Sequence, residues 1–225
     1  MVSVRDYLAS QHLWTARREA WLCRTREKQL VADSNGNLDR KHRSYATTAA
    51  LSSVAFLEGV VNASWQDAFD EKSTVYTDGI PESALATMRE LWRGTEQYEW
   101  KALLEKSQAA LELAGSERMP NRDPYQSVKV LIRLRNALVH FKPETRRPDT
   151  DADLEQRLKT KITKRRENQA PIGHPWFPNK ALGAGTAQWA CDSCIEFARQ
   201  WHQSMGLTYD FDDLYLNSTG AFEVE

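Results

Sequence analysis

The stretch that most constrains the fold of this chain is Tyr125–Glu144, YQSVKVLIRLRNALVHFKPE, which follows Pro124 and is closed by Pro143. Proline is tolerated at a helix start but disfavours helix at the residue before it, so this pair punctuates one helix ending near His140 to Lys142. At about 100° per residue, Val128, Leu131, Ile132, Leu134, Leu138, Val139 and Phe141 gather on one broad face, while Lys129, Arg133, Asn136 and His140 fall opposite. Arg133, Asn136 and His140 stand at i, i+3 and i+7 and line one edge. Arg135 breaks the pattern. It falls between Leu131 and Leu138 in the apolar arc, where a lone guanidinium is costly, so either a partner neutralises it or the face is a cleft or interface.

The remainder of the chain carries the same period. Helical patterns run over Val4 to Val31, Arg43 to Trp65, Glu82 to Trp92, Thr95 to Leu113 and Leu182 to Met205, separated by turn clusters such as Asp33-Ser34-Asn35-Gly36-Asn37 and Thr77-Asp78-Gly79-Ile80-Pro81. No strand alternation is long enough to build a sheet, and no repeat or Gly-rich phosphate loop is present. The expected class is all-α, a helical bundle of five or more helices. In the segment from Ser44 to Trp65, Ala46, Ala49, Ala50, Ser53 and Gly59 allow another helix to approach closely, and Glu58 and Asn62 share a face. After Pro143 the chain turns polar: Arg157, Lys159, Lys161, Lys164, Arg165 and Arg166 surround a thin stripe of Leu154, Leu158 and Ile162. Residues 145–180 therefore read as an insertion or arm, and 208–225 as an acidic tail, on one domain spanning 1–225.

The residues RNALVH, Arg135 to His140, resemble the signature of the HEPN superfamily, an arginine followed by a polar residue and then a histidine. The resemblance implies a HEPN-like bundle with the motif on a late core helix, and a metal-independent ribonuclease working as a homodimer, in a defence or toxin–antitoxin setting. Arg135, Asn136 and His140 are then the catalytic residues. Glu58, the carboxylate on the apolar helix, is the expected partner of Arg135, and Arg133 supports the site. The chemistry suits these residue types. The RNA 2′-OH attacks the adjacent phosphate, histidine moves protons near neutral pH, and arginine holds the phosphorane oxygens without deprotonating. One histidine per chain falls short of an acid and base pair, and a symmetric dimer supplies the second. The products are a 2′,3′-cyclic phosphate and a 5′-OH. Read from the residues alone, the favoured reading is that His140 and Asn136 merely cap the helix end, with Arg135 in an internal ion pair with Glu58. A non-catalytic RNA-binding or dimerisation module of the same fold is the alternative.

With a net charge of -1, nucleic-acid affinity must come from a local patch. Lys161, Lys164, Arg165 and Arg166 are that patch, with a solvated helix face as the bland reading. Three cysteines, Cys23, Cys191 and Cys194, cannot all pair within one chain. With no N-terminal signal pattern and no apolar run of spanning length, a cytoplasmic protein with reduced thiols and no membrane partner is expected. Cys191 and Cys194 lack further ligands for zinc and read as packed helix residues, so no metal and no cofactor is expected. His174, Trp176 and Phe177 either stack on an unpaired base or pin their loop to the bundle. RNA and a second copy are the expected partners, and some HEPN toxins are restrained by an antitoxin protein.

Overall fold

The computed structural model describes residues 5–34, 36–94, 97–141 and 153–208, and among them the chain is all-helical, with no strand. Seven α-helices follow in order: α1 (Ala9–Ala32), α2 (Arg40–Phe69), α3 (Glu82–Trp92), α4 (Leu103–Leu113), α5 (Tyr125–Val139), α6 (Asp153–Lys159) and α7 (Ala184–Met205). A 3-10 turn at Tyr98–Trp100 and an irregular turn at Trp176–Lys180 complete the set. Lys142, Pro143 and Glu144, residues 145–152 and the acidic tail from 209 lie outside the described residues. The chain divides into two compact units, one formed by 1–11, 55–121 and 195–225 and the other by 12–54 and 122–194.

The second unit carries the motif helix. Its core takes Leu13, Ala16 and Cys23 from α1, Ala46, Ala49, Ala50 and Val54 from α2, Val128, Leu131 and Leu134 from α5, and Ala187, Ala190 and Cys194 from α7. Asp39 starts α2 as an N-cap, its Oδ1 accepting the His42 backbone N–H at 2.7 Å. Residues 153–180, expected as an arm, bury Leu158, Ile162, Trp176 and Phe177 within this unit. The helix expected to carry the basic run stops at Lys159, and the chain continues as turns closed by Ile162 N–H to Leu158 O and Arg166 N–H to Thr163 O.

Glu27 of α1 ties this unit together. Its carboxylate accepts from His42 Nε2 at 2.8 Å, from the Gln169 backbone N–H at 3.1 Å and from the Ala184 N–H at the start of α7 at 2.8 Å. An anion at that helix start satisfies an N–H that has no partner within the helix and favours the helix dipole. Gly183 makes the approach possible, since a Cβ there would meet Glu27 Oε2 at 2.8 Å and Asn168 Cα at 2.6 Å.

In the other unit the buried core takes Phe56, Leu57, Val60, Val61 and Trp65 from α2, Met88 and Trp92 from α3, Leu103 and Leu111 from α4, and Phe197 and Trp201 from α7. Trp201 donates its indole N–H to Ser107 O at 2.9 Å, which spares a buried indole its desolvation cost. Gly59 admits Ala9, whose Cβ lies 3.1 Å from where a glycine Cβ would stand. The single helix expected over Thr95 to Leu113 is broken. Tyr98 stacks on Trp65 with ring centroids 4.9 Å apart, and Ala102 is extended at ψ 147° before α4 begins.

Among the described helices only α2 has the length and hydropathy of a membrane span, and 56% of that apolar window is buried inside the protein. Val54, Phe56, Leu57, Val60 and Val61, all buried, carry much of this hydropathy.

Candidate functional site

The site is built on α5. Asp123 accepts the Ser127 hydroxyl at 2.8 Å near the helix start, and Ser127, Val128, Val130, Leu131 and Leu134 form the buried stripe. The stripe covers only the first part of the helix. Ile132 and Leu138 are half-buried, while Val139 and Phe141 are 55% and 54% exposed, so the apolar arc read from the sequence leaves the core before it ends.

His140 closes the helix at φ -105° and ψ 37°, its backbone N–H bonded to Asn136 O at 2.9 Å. That bond needs no particular side chain. The side chains of Asn136 and His140 are exposed, and neither makes a hydrogen bond or ion pair among the described residues. Arg135 is half-buried, with its Nε shielded from solvent.

Arg133 is exposed on the edge that carries Asn136 and His140, and its Nη1 reaches Asp153 Oδ2 at 2.8 Å. Asp153 opens α6, which packs on α5, and it also accepts Arg157 Nε at 2.9 and 3.1 Å. Arg157 first, and Arg133 with it, hold the Asp153 carboxyl below its ordinary pKa.

Glu58 and Arg135 belong to different units. In its own unit Glu58 lies close enough to Lys106 of α4 to favour the ammonium, against burial that lowers the lysine pKa. Lys106 Nζ donates to Asn62 Oδ1 and sits 5.4 Å from the Trp92 ring centre. Glu58 and Asn62 thus share a face, as their spacing requires, and Lys106 is a cation beside that face.

The basic run is largely occupied by acids. Lys161 is 2.6 Å from Asp123, Arg157 is paired with Asp153, and Lys159 is 3.0 Å from Glu155. Arg166 donates to Lys161 O at 2.9 Å. Lys164, Arg165 and Arg166 remain exposed and without an acidic partner among the described residues, on a turn that lies so close to α7 that a Cβ at Gly185 would meet Arg166 Cα at 2.5 Å. His174 is exposed, but Trp176 and Phe177 are buried and the Trp176 indole donates to Glu167 Oε1 at 2.9 Å. These aromatics pin the loop, and their faces are not open to a base.

Cys23, Glu27 and His42 bring three ligand-type atoms within 4.8 Å of one another, a cluster no sequence pattern announces. Cys23 and Glu27 are one helical turn apart on α1, but nothing local places His42 beside them. The Glu27 oxygens already accept three hydrogen bonds, and burial first, then the nearby Glu27 charge, pushes the Cys23 thiol far up. The group is a neutral-thiol, hydrogen-bonded staple. Cys191 and Cys194 are buried free thiols, and burial pushes the first up to about 11 and the second well above its ordinary value.

Fold and site together define an all-α protein whose motif helix delivers Asn136 and His140 to solvent at its exposed end. Comparison with models of known families, with curated proteins and with solved structures finds no match.

Proposed function

We propose that this protein is a metal-independent endoribonuclease of HEPN type, acting as a homodimer, with Arg135, Asn136 and His140 as its reacting set. The observation that supports this reading best is the end of α5. The helix is closed there by a backbone hydrogen bond, and among the described residues the Asn136 and His140 side chains are exposed and uncommitted. A residue kept only as a cap would spend its side chain on the helix end.

In this reading His140 moves a proton between the 2′-OH or the leaving 5′-oxygen and solvent, and Asn136 hydrogen-bonds a phosphate oxygen or orients the imidazole. Arg135 supplies fixed positive charge to the phosphorane. Val139 and Phe141, exposed on either side of His140, give a second copy apolar surface to bury beside the two histidines. Lys164, Arg165 and Arg166 extend the contact to RNA phosphates, and charge reversal there weakens binding and its salt dependence together. The half-buried position of Arg135 favours the second reading, a non-catalytic module of the same fold in which this arginine is structural.

The test is cleavage of a mixed RNA pool in EDTA by wild type, Arg135→Ala and His140→Ala, with product ends mapped and folding checked by circular dichroism. Cutting to 2′,3′-cyclic ends by wild type, lost in the folded variants, is expected. An inert wild type, or His140→Ala cutting as well as wild type, overturns the reading.

A further inference from the structure

We propose that Arg133 and Arg157 form a clamp for an RNA phosphodiester beside the reacting set, and that Asp153 occupies this clamp when RNA is absent. The proposal rests on the ribonuclease reading of α5. Two guanidiniums from two helices converge on one carboxylate, Arg133 Nη1 at 2.8 Å and Arg157 Nε at 2.9 and 3.1 Å. A phosphodiester presents the same features, two terminal oxygens sharing one negative charge, and arginine forks bind either anion.

Position singles out this pair among the basic residues. Arg133 lies three residues before Asn136 and seven before His140 on one exposed edge, about 10 Å along the helix axis from the histidine. Lys129, also exposed, extends the edge by one further turn. A strand whose scissile phosphate sits at His140 therefore places a neighbouring phosphate at Arg133. Lys159 and Lys161 each meet their own acid, whereas among the described residues Arg133 and Arg157 share one, which leaves the clamp a surplus positive charge within that set.

Access favours the exchange. The Arg133, Asp153 and Arg157 side chains are 46%, 64% and 51% exposed. Exposed ion pairs are screened by water and salt and are of little net worth, so an incoming phosphate displaces the carboxylate at low cost.

The test is fluorescence anisotropy of a single-stranded RNA across a salt series in EDTA, with every chain carrying His140→Ala so that the RNA stays whole. Asp153→Asn is expected to tighten binding at low salt by roughly three- to tenfold, and to steepen the slope of log K against log salt by about 0.7 for each phosphate newly neutralised. Adding Arg133→Gln and Arg157→Gln to Asp153→Asn is expected to remove the gain. Affinity and slope unchanged by Asp153→Asn, a gain that survives loss of both arginines, or no RNA binding by any variant overturns the clamp. If Asp153 serves only to tether α6 to α5, Asp153→Asn lowers the melting temperature without tightening RNA binding, which also overturns it. Cleavage by chains retaining His140 is scored separately. A gain without cleavage keeps the clamp and removes the nuclease, and cleavage without a gain does the reverse.

Discussion

Replacing Glu27 tests the packing logic of the unit that carries α5. In Glu27→Ala the His42 imidazole and the Ala184 backbone N–H lose their acceptor in a buried place, and the Gln169 backbone N–H loses its own in a part-buried one. A buried group left unsatisfied costs about 1–3 kcal/mol, so the two buried donors, with a smaller share from the part-buried one, give a loss of about 3–5 kcal/mol. For a chain of this size that is a fall of about 8–15 °C in melting temperature. Glu27→Gln keeps the shape and one acceptor but turns a donor toward a donor, for a loss of about 2–3 kcal/mol. The pH dependence follows from the carboxylate. Burial alone raises its pKa, but hydrogen bonds from His42, Ala184 and Gln169 together outweigh burial and bring it below the ordinary 4.5. A carboxylate depressed in the folded state contributes stability above its unfolded value and loses it as pH falls through the folded one. The gap between wild type and Glu27→Gln is therefore widest near neutral pH and closes in acid. Urea denaturation followed by far-ultraviolet circular dichroism at pH 7 and pH 3.5 reads both. A gap below about 1 kcal/mol at pH 7, or one that widens in acid, refutes the role given to Glu27.

Two further outcomes follow from buried groups. Lys106→Met is expected to leave stability unchanged or raise it by up to about 1 kcal/mol, because removing a desolvated ammonium offsets the lost bond to Asn62. The penalty on that ammonium is full below its lowered folded pKa and vanishes above the unfolded 10.5, so wild type gains stability toward pH 10 and Lys106→Met lacks that part of the rise. Thermal melts at pH 7 and pH 10 check this, and a loss above about 1 kcal/mol at pH 7 counts against it. Cys23, Cys191 and Cys194 are expected to react with a thiol-specific disulfide reagent only as fast as the protein opens, because each is buried with a raised thiol pKa. Fast labelling of the native protein at pH 8 contradicts that burial.

The sequence determined the α5 helix and the edge that carries Arg133, Asn136 and His140, because proline punctuation and helical period are local properties. It determined α3 to the residue and the approximate extent of α1, α2 and α7 for the same reason. The close pairs Arg157 with Asp153 and Lys159 with Glu155 lie at i, i+4 and were open to the same reasoning. Tertiary structure decided the rest. A helical wheel names the apolar face but not how far along it the neighbouring helices extend, so the exposure of Val139 and Phe141 was not legible. The break before α4 goes with Tyr98 stacking on Trp65, a contact across 33 positions that local propensity does not contain. The sequence places Lys161 in a basic patch, and only the fold brings Asp123 to it from 38 positions away. Glu27 meets His42 across 15 positions and Ala184 across 157, and no periodic pattern links such residues. Helix periodicity and chain punctuation act within a few residues, whereas the acid that meets a given base is chosen by packing, and packing is a property of the whole fold.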